Sequence, residues 1–162
     1  MEIGCGRGAG ARIIYQTFRP GVFHASDLDL QMIRKAAEYL PPEDRKPIRF
    51  LTADVLNLPY GQESFKAVFG FGVLHHIPDW QTALGEISRV LKPGGTYYLE
   101  ELYPGLYQNF ITKHILLHPQ ENRFHSQDLK QALRKMNMEL RYCLEIKMAG
   151  ILAIVTKNFS KK

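Results

Sequence analysis

Three groups of residues in this sequence have the types and spacing to do chemistry. The first is a glycine-rich run, Glu2-Ile3-Gly4-Cys5-Gly6-Arg7-Gly8-Ala9-Gly10. Glycines between a strand and a helix permit a tight turn and let a ligand reach the backbone, while free N–H groups at the helix start favour an anionic group. As a bare pattern the run is ambiguous, because Gly6-Arg7-Gly8-Ala9-Gly10-Ala11 also satisfies a dinucleotide fingerprint with Ala in the last place. The second group is a pair of carboxylates at strand ends. Asp27 lies about 20 residues past the glycines, where an acidic side chain can accept hydrogen bonds from ribose hydroxyls. Asp54, in Thr52-Ala53-Asp54-Val55, could accept from an adenine amino group. The third group is His75 and His76, just past another strand end. An imidazole titrates near neutral pH and can orient a substrate or take its proton; the alternative is one packed ring and one exposed ring.

Other chemistry-bearing residues read more blandly. Cys5 sits where the loop needs a small side chain, so it is a packing residue rather than a nucleophile. Glu100 and Glu101 either contact a substrate or merely finish a strand. His114, His118 and His125 lack zinc spacing, and Cys5 with Cys143 makes neither a disulfide framework nor a metal site.

The elements that must position these groups alternate along the chain. Val22–Ala25, Ile48–Leu51, Ala67–Phe71 and Thr96–Leu99 are short, β-branched or aromatic, and bounded by turn signals, which predicts buried strands. Between them Ala9–Phe18, Leu30–Leu40 behind Asp29, and Trp80–Leu91 behind Asp79 carry helical spacing, the last ending at Lys92-Pro93-Gly94-Gly95. Strands separated by helices imply crossovers and a mainly parallel sheet covered on both faces. Towards the C-terminus, Ser126 caps a predicted helix running to about Asn137, and Glu139–Lys147 with Ile151–Lys157 forms an antiparallel hairpin. Tyr103–Pro119 interrupts the alternation; its Leu106, Tyr107, Phe110, Ile111 and Leu117 share a helical face, as core or as a lid. Residues 1–162 form one α/β domain.

In this context the chain resembles the class I S-adenosylmethionine-dependent methyltransferases, most closely the small-molecule group called type 11, over nearly its whole length. Glu2 to Gly8 is similar to the family's first motif, and Ala25-Ser26-Asp27-Leu28-Asp29 with Met32 to its second strand and following helix. Ala53-Asp54-Val55 with Leu58-Pro59-Tyr60 resembles the adenine-side loop. Phe65-Lys66-Ala67-Val68 followed by Val73 to Asp79 resembles the fourth-strand motif, and Arg89 to Gly95 the turn into the fifth strand. The resemblance implies a Rossmann-like three-layer sandwich with seven strands, one of them antiparallel. It implies S-adenosylmethionine as cofactor, S-adenosylhomocysteine as product and a small-molecule acceptor. Gly4, Cys5, Gly6 and Gly8 would wrap the methionine part, and Glu2 would help hold the loop and the ammonium end. Asp27 would take the ribose, Leu28 and Met32 would face the adenine, Asp54 would accept from its amino group, and Val55 and Phe71 would complete the cofactor-binding set. His75 and His76 would stand beside the sulfonium.

Two departures from the family pattern carry expectations of their own. The sequence begins inside the first motif, which predicts an incomplete first strand, Met1–Ile3, and a truncated N-terminus without the helices that precede it in relatives. Lys66 stands where relatives carry Asp and reads as a surface substitution at a strand entrance, since Lys is rarely buried unpaired.

Composition sets the outer bounds. A chain of 162 residues that is 45% hydrophobic and 23% charged has one core, which excludes a disordered chain or a two-domain enzyme of ordinary size. The longest apolar stretches, Ala67–Leu74 and Gly150–Val155, are too short to span a bilayer. Met1-Glu2-Ile3-Gly4 has no basic n-region, so the expected setting is cytoplasmic. The net charge of +5 comes from scattered basic residues, and nucleic acid is not an expected partner. The competing readings are a cofactor-binding protein without turnover, a nicotinamide dehydrogenase and an RNA methyltransferase. Asp54 and the Leu74–Asp79 motif argue against the second, and only charge favours the third.

Overall fold

The computed structural model describes residues 1–104, 123–146 and 149–159. In chain order the elements are β1 (Glu2–Ile3), α1 (Ala9–Phe18), β2 (Phe23–Asp27), α2 (Leu30–Tyr39), a one-turn α3 (Pro42–Arg45) and β3 (Ile48–Thr52). There follow β4 (Phe65–Phe71), a 3₁₀ turn (Leu74–His76), α4 (Trp80–Val90), β5 (Leu91–Leu102), α5 (Ser126–Lys135), β6 (Met138–Ile146) and β7 (Gly150–Lys157). The seven strands form one sheet in the order β3-β2-β1-β4-β5-β7-β6. Pairing is parallel from β3 through β5, and β7 runs antiparallel to both of its neighbours. The expected Rossmann-like α/β fold is therefore present, with its short central strand.

Period-two alternation divides the sheet's side chains between two cores. Ile3, Val68, Tyr97 and Leu99 face α4 and α5, packing with Trp80, Leu84, Ile87 and Leu133. Phe23, Ala25 and Phe69 face α1, with Ala11 and Ile14. Beyond the reach of α1 the same sheet face continues over the hairpin, where Tyr142, Leu144, Ile146, Leu152 and Ile154 remain exposed. No helix among the described residues is long and apolar enough to cross a membrane.

The two expected N-caps hold their helices: Asp29 Oδ1 accepts from Gln31 N at 2.7 Å, and Asp79 Oδ1 from Thr82 N at 3.2 Å. Elsewhere the boundaries move for identifiable reasons. Val22 is exposed and outside β2, whose pairing instead extends to Asp27 opposite Thr52. Lys92-Pro93-Gly94-Gly95 ends α4 at Val90 but does not delay the strand. β5 starts at Leu91 and bulges, its partners jumping from Phe65↔Leu91 to Ala67↔Thr96. Ser126 is the first helical residue rather than the cap; His125 precedes it, and its N–H donates to Asp128 Oδ2 at 2.9 Å. Of the expected lid Tyr103–Pro119, Tyr103 is buried, while Leu106, Tyr107, Phe110, Ile111 and Leu117 lie outside the described residues, as do His114 and His118.

Candidate cofactor cleft

The strand order reverses between β1 and β4, and open α/β sheets bind ligands outside the carboxyl ends of strands at such a point. A cleft of about 620 Å³ lies there. A hollow of comparable size, about 660 Å³, runs along α5, but surface side chains of that one helix make it and no strand end enters it.

Main-chain hydrogen bonds build the cleft floor. Cys5 N donates to Ser26 O at 2.9 Å and Gly8 N to Cys5 O at 2.8 Å, which folds the loop back over the end of β2. Gly4 adopts φ +61°, and a β-carbon there would stand 2.6 Å from Val73 Cγ2. Only glycine meets both conditions. Asp27 joins the loop to β2: its Oδ2 accepts from Gly6 N at 2.8 Å and its Oδ1 from Asp29 N at 2.9 Å. Each oxygen keeps a second lone pair for a ligand.

The opposite rim is the segment 54–60. Asp54 Oδ1 accepts from Leu56 N at 2.9 Å, closing a local turn. An α4 ion pair secures the rest. Arg89 donates to Tyr60 O at 2.7 Å, Leu58 O at 3.1 Å and Glu86 Oε1 at 2.6 Å, while Glu86 Oε2 accepts from Leu58 N at 2.8 Å. Arg89's hydrogen bond, reinforced by the Leu58 amide, holds the Glu86 carboxyl below its ordinary range. Sequence reading missed this clamp, because a Glu and an Arg three apart on a helix look like any solvated face.

Gly4, Gly6, Asp27, Leu28, Met32, Asp54, Val55 and His76 line the cleft, joined by Val73, Ile77 and Pro78 from the turn after β4. Leu28 is 69% exposed at its mouth, an apolar surface facing solvent beside two carboxylates. The remaining expected residues lie outside this lining. Glu2 is only 3% exposed, with its Oε1 against Gly10 and no hydrogen bond to Oε2; burial pushes its carboxyl up to about 8. Cys5 packs into the α1-side core, and burial, with Glu2 and Asp27 adding to it, pushes its thiol up to about 12. Gly8 lies against Ala36 and Leu40, and Phe71 projects from the end of β4 beside Phe69. His75 is 3% exposed beneath His76, and Lys66 is exposed at the start of β4. Among the described residues no group of three or more His, Cys, Asp or Glu is placed to hold a metal.

A glycine cradle, a carboxylate at the end of β2 and an apolar slot before Asp54 sit where Rossmann-like domains place their ligand clefts. A sequence profile described as methyltransferase domain, the type 11 group, matches residues 1–99, and the chain belongs to that family. It is 34% identical over 106 residues to the phthiotriol/phenolphthiotriol dimycocerosates methyltransferase of Mycobacterium tuberculosis. It is 31% identical over 104 residues to the fatty-acid O-methyltransferase of Mycolicibacterium smegmatis. Each match covers 64% of this chain and 37% of the relative's length. A chain of the Haloferax volcanii complex between the Trm112 methyltransferase activator and a methyltransferase superposes with a TM-score of 0.84, covering 99% of this chain and 82% of that one at 19% identity.

Proposed function

We propose that the cleft binds S-adenosylmethionine and that the protein transfers its methyl group to a small, apolar acceptor of lipid-like character. The observation that carries the cofactor reading is Asp27: a carboxylate fixed by one amide from the glycine loop and one from α2's cap, with acceptor positions open to the cleft. Such a group suits a vicinal diol, as on ribose. Leu28, Met32 and Val55 offer apolar surface for a purine, Asp54 an acceptor for its amino group, and Gly4 and Gly6 close backbone approach for an amino-acid tail. The acceptor class follows two of the named relatives, which act on a phthiotriol lipid and on fatty acids.

When bound, S-adenosylmethionine supplies an electrophilic methyl group to a nucleophile held in line, so alignment provides much of the acceleration. His76 on the cleft wall orients the acceptor or takes its proton, and a base is required only where the nucleophile must lose one. Calorimetric titration with S-adenosylhomocysteine, wild type against Asp27→Ala, tests this. Saturable binding weakened about 100-fold in the variant is expected, from two lost charge-assisted hydrogen bonds of about 1.5 kcal/mol each. A folded wild-type chain that binds NADH and not S-adenosylhomocysteine would overturn it.

A further inference from the structure

Glu101, near the end of β5, is completely buried, and a carboxylate in that position is costly unless donors surround it. Four do. Its Oε1 accepts from Val73 N at 3.2 Å and Leu74 N at 2.8 Å; its Oε2 accepts from His75 N at 3.2 Å and faces His75 Nδ1 at 2.9 Å. Three successive amides converging on an anion form a nest of the kind that usually holds a ligand; here a side chain from the adjacent strand fills it. The neighbouring Glu100 shows the contrast. It projects towards the other sheet face, half-buried, and makes no such set of bonds to the turn.

The segment held in this way is the cleft wall. Val73, His76 and Ile77 line the cleft, and Val73 also stands against Gly4 across the floor. The His75 ring, fixed by Glu101, lies 4.3 Å from the His76 ring, centroid to centroid. An apolar residue of similar volume would fill the space but could not order three amides and an imidazole together. We propose that Glu101 is a positioning residue for the cofactor cleft. By holding the amides of Val73, Leu74 and His75 it fixes the wall opposite Gly4 and the direction His76 presents, and it keeps a proton on His75 Nδ1. This assignment rests on the reading of the cleft given above.

Glu101→Gln is the test, because the amide keeps the volume and loses the acceptor symmetry. Whichever way Gln turns, its NH₂ opposes a main-chain N–H that the carboxylate accepted. The control is Leu133→Ala, a cavity in α5 that lowers stability away from the turn. The readings are the affinity for S-adenosylhomocysteine, amide exchange at Val73–His75, and the imidazole ¹⁵N spectrum of His75. Glu101→Gln should weaken binding about tenfold, the loss expected from disordering hydrogen bonds to a charged group, and should speed exchange at all three amides. Leu133→Ala should lower Tm with affinity unchanged.

Binding by Glu101→Gln within twofold of wild type would overturn the proposal, as would a loss of affinity in Leu133→Ala matching its loss of Tm. Should Glu101→Gln not fold, wild type alone decides. Unprotected amides at Val73–His75, or a His75 protonated only at Nε2, contradict the proposal. A wild-type chain that fails to bind S-adenosylhomocysteine counts against the cofactor reading instead, and the amide and imidazole signals still report on Glu101.

Discussion

Gly4→Ala probes the point where the cleft floor meets Val73, and the structure separates its cost into two parts. The first is backbone: a non-glycine residue at φ +61° costs about 1–2 kcal/mol. The second is steric. The new β-carbon would lie 2.6 Å from Val73 Cγ2, against an ordinary carbon–carbon contact of roughly 3.5–4.0 Å. Val73 cannot easily retreat, because its amide donates to Glu101. Overpacking of this kind costs about 1–3 kcal/mol. The sum, about 2–5 kcal/mol, corresponds in a chain of this size to a fall in Tm of roughly 4–20 °C. Thermal unfolding of Gly4→Ala, Val73→Ala and the double variant tests the division. Removing the Val73 methyls should restore the steric share and leave the backbone share, giving a favourable coupling of about 1–3 kcal/mol. Additive losses in the double variant would show that the clash with Val73 plays no part.

Glu2 and Arg89 give two more expectations. Because burial raises the folded-state value of Glu2 from 4.5 to about 8, the native chain holds a proton there that the unfolded chain releases, so Glu2 costs stability increasingly between those two pH values. The Tm of Glu2→Gln minus that of wild type should therefore rise from about pH 5 to 8 and level off above. The buried Met1 amino group, whose value burial lowers to about 5 against the raising effect of the Glu2 charge, trends the opposite way in wild type; a flat difference would refute the assignment. Arg89→Ala removes the donor to the Leu58 and Tyr60 carbonyls and should cost about 1–3 kcal/mol in denaturant unfolding, with faster amide exchange at Leu58 and Tyr60. Unchanged exchange there would mean that the 54–60 segment holds itself.

Much of the fold was legible because local signals agreed with the global pattern. Asp29 and Asp79 mark helix starts by side-chain chemistry alone, and the β2–β3 pairing ends where the carboxylate of Asp27 meets the cleft. Signals with two outlets were harder to read. Lys92-Pro93-Gly94-Gly95 stops a helix, yet a bulge lets pairing begin immediately before it. In the cleft, residues brought together by adjacent loops were visible as motifs. Glu101 was not: alternation after Tyr97 and Leu99 points it inward, but its partners are main-chain amides of a turn in another motif. Glu86 and Arg89 escaped for the same reason, since carbonyl and amide partners leave no trace in side-chain identity.

The terminal hairpin has a bearing on how the protein behaves in concentrated solution. β6 is the last strand of the sheet, and an open strand edge is a template on which a second chain can pair. Here the edge is guarded. The pairing register shifts between Leu140 and Tyr142, leaving Arg141 as the extra residue of a bulge, and Arg141 pairs with Glu139 at 2.9 Å. On the broad surface of the same hairpin Tyr142, Leu144, Ile146, Leu152 and Ile154 present exposed apolar side chains together. Salts such as sulfate, which strengthen apolar burial, therefore favour contact through this face over pairing along the β6 edge.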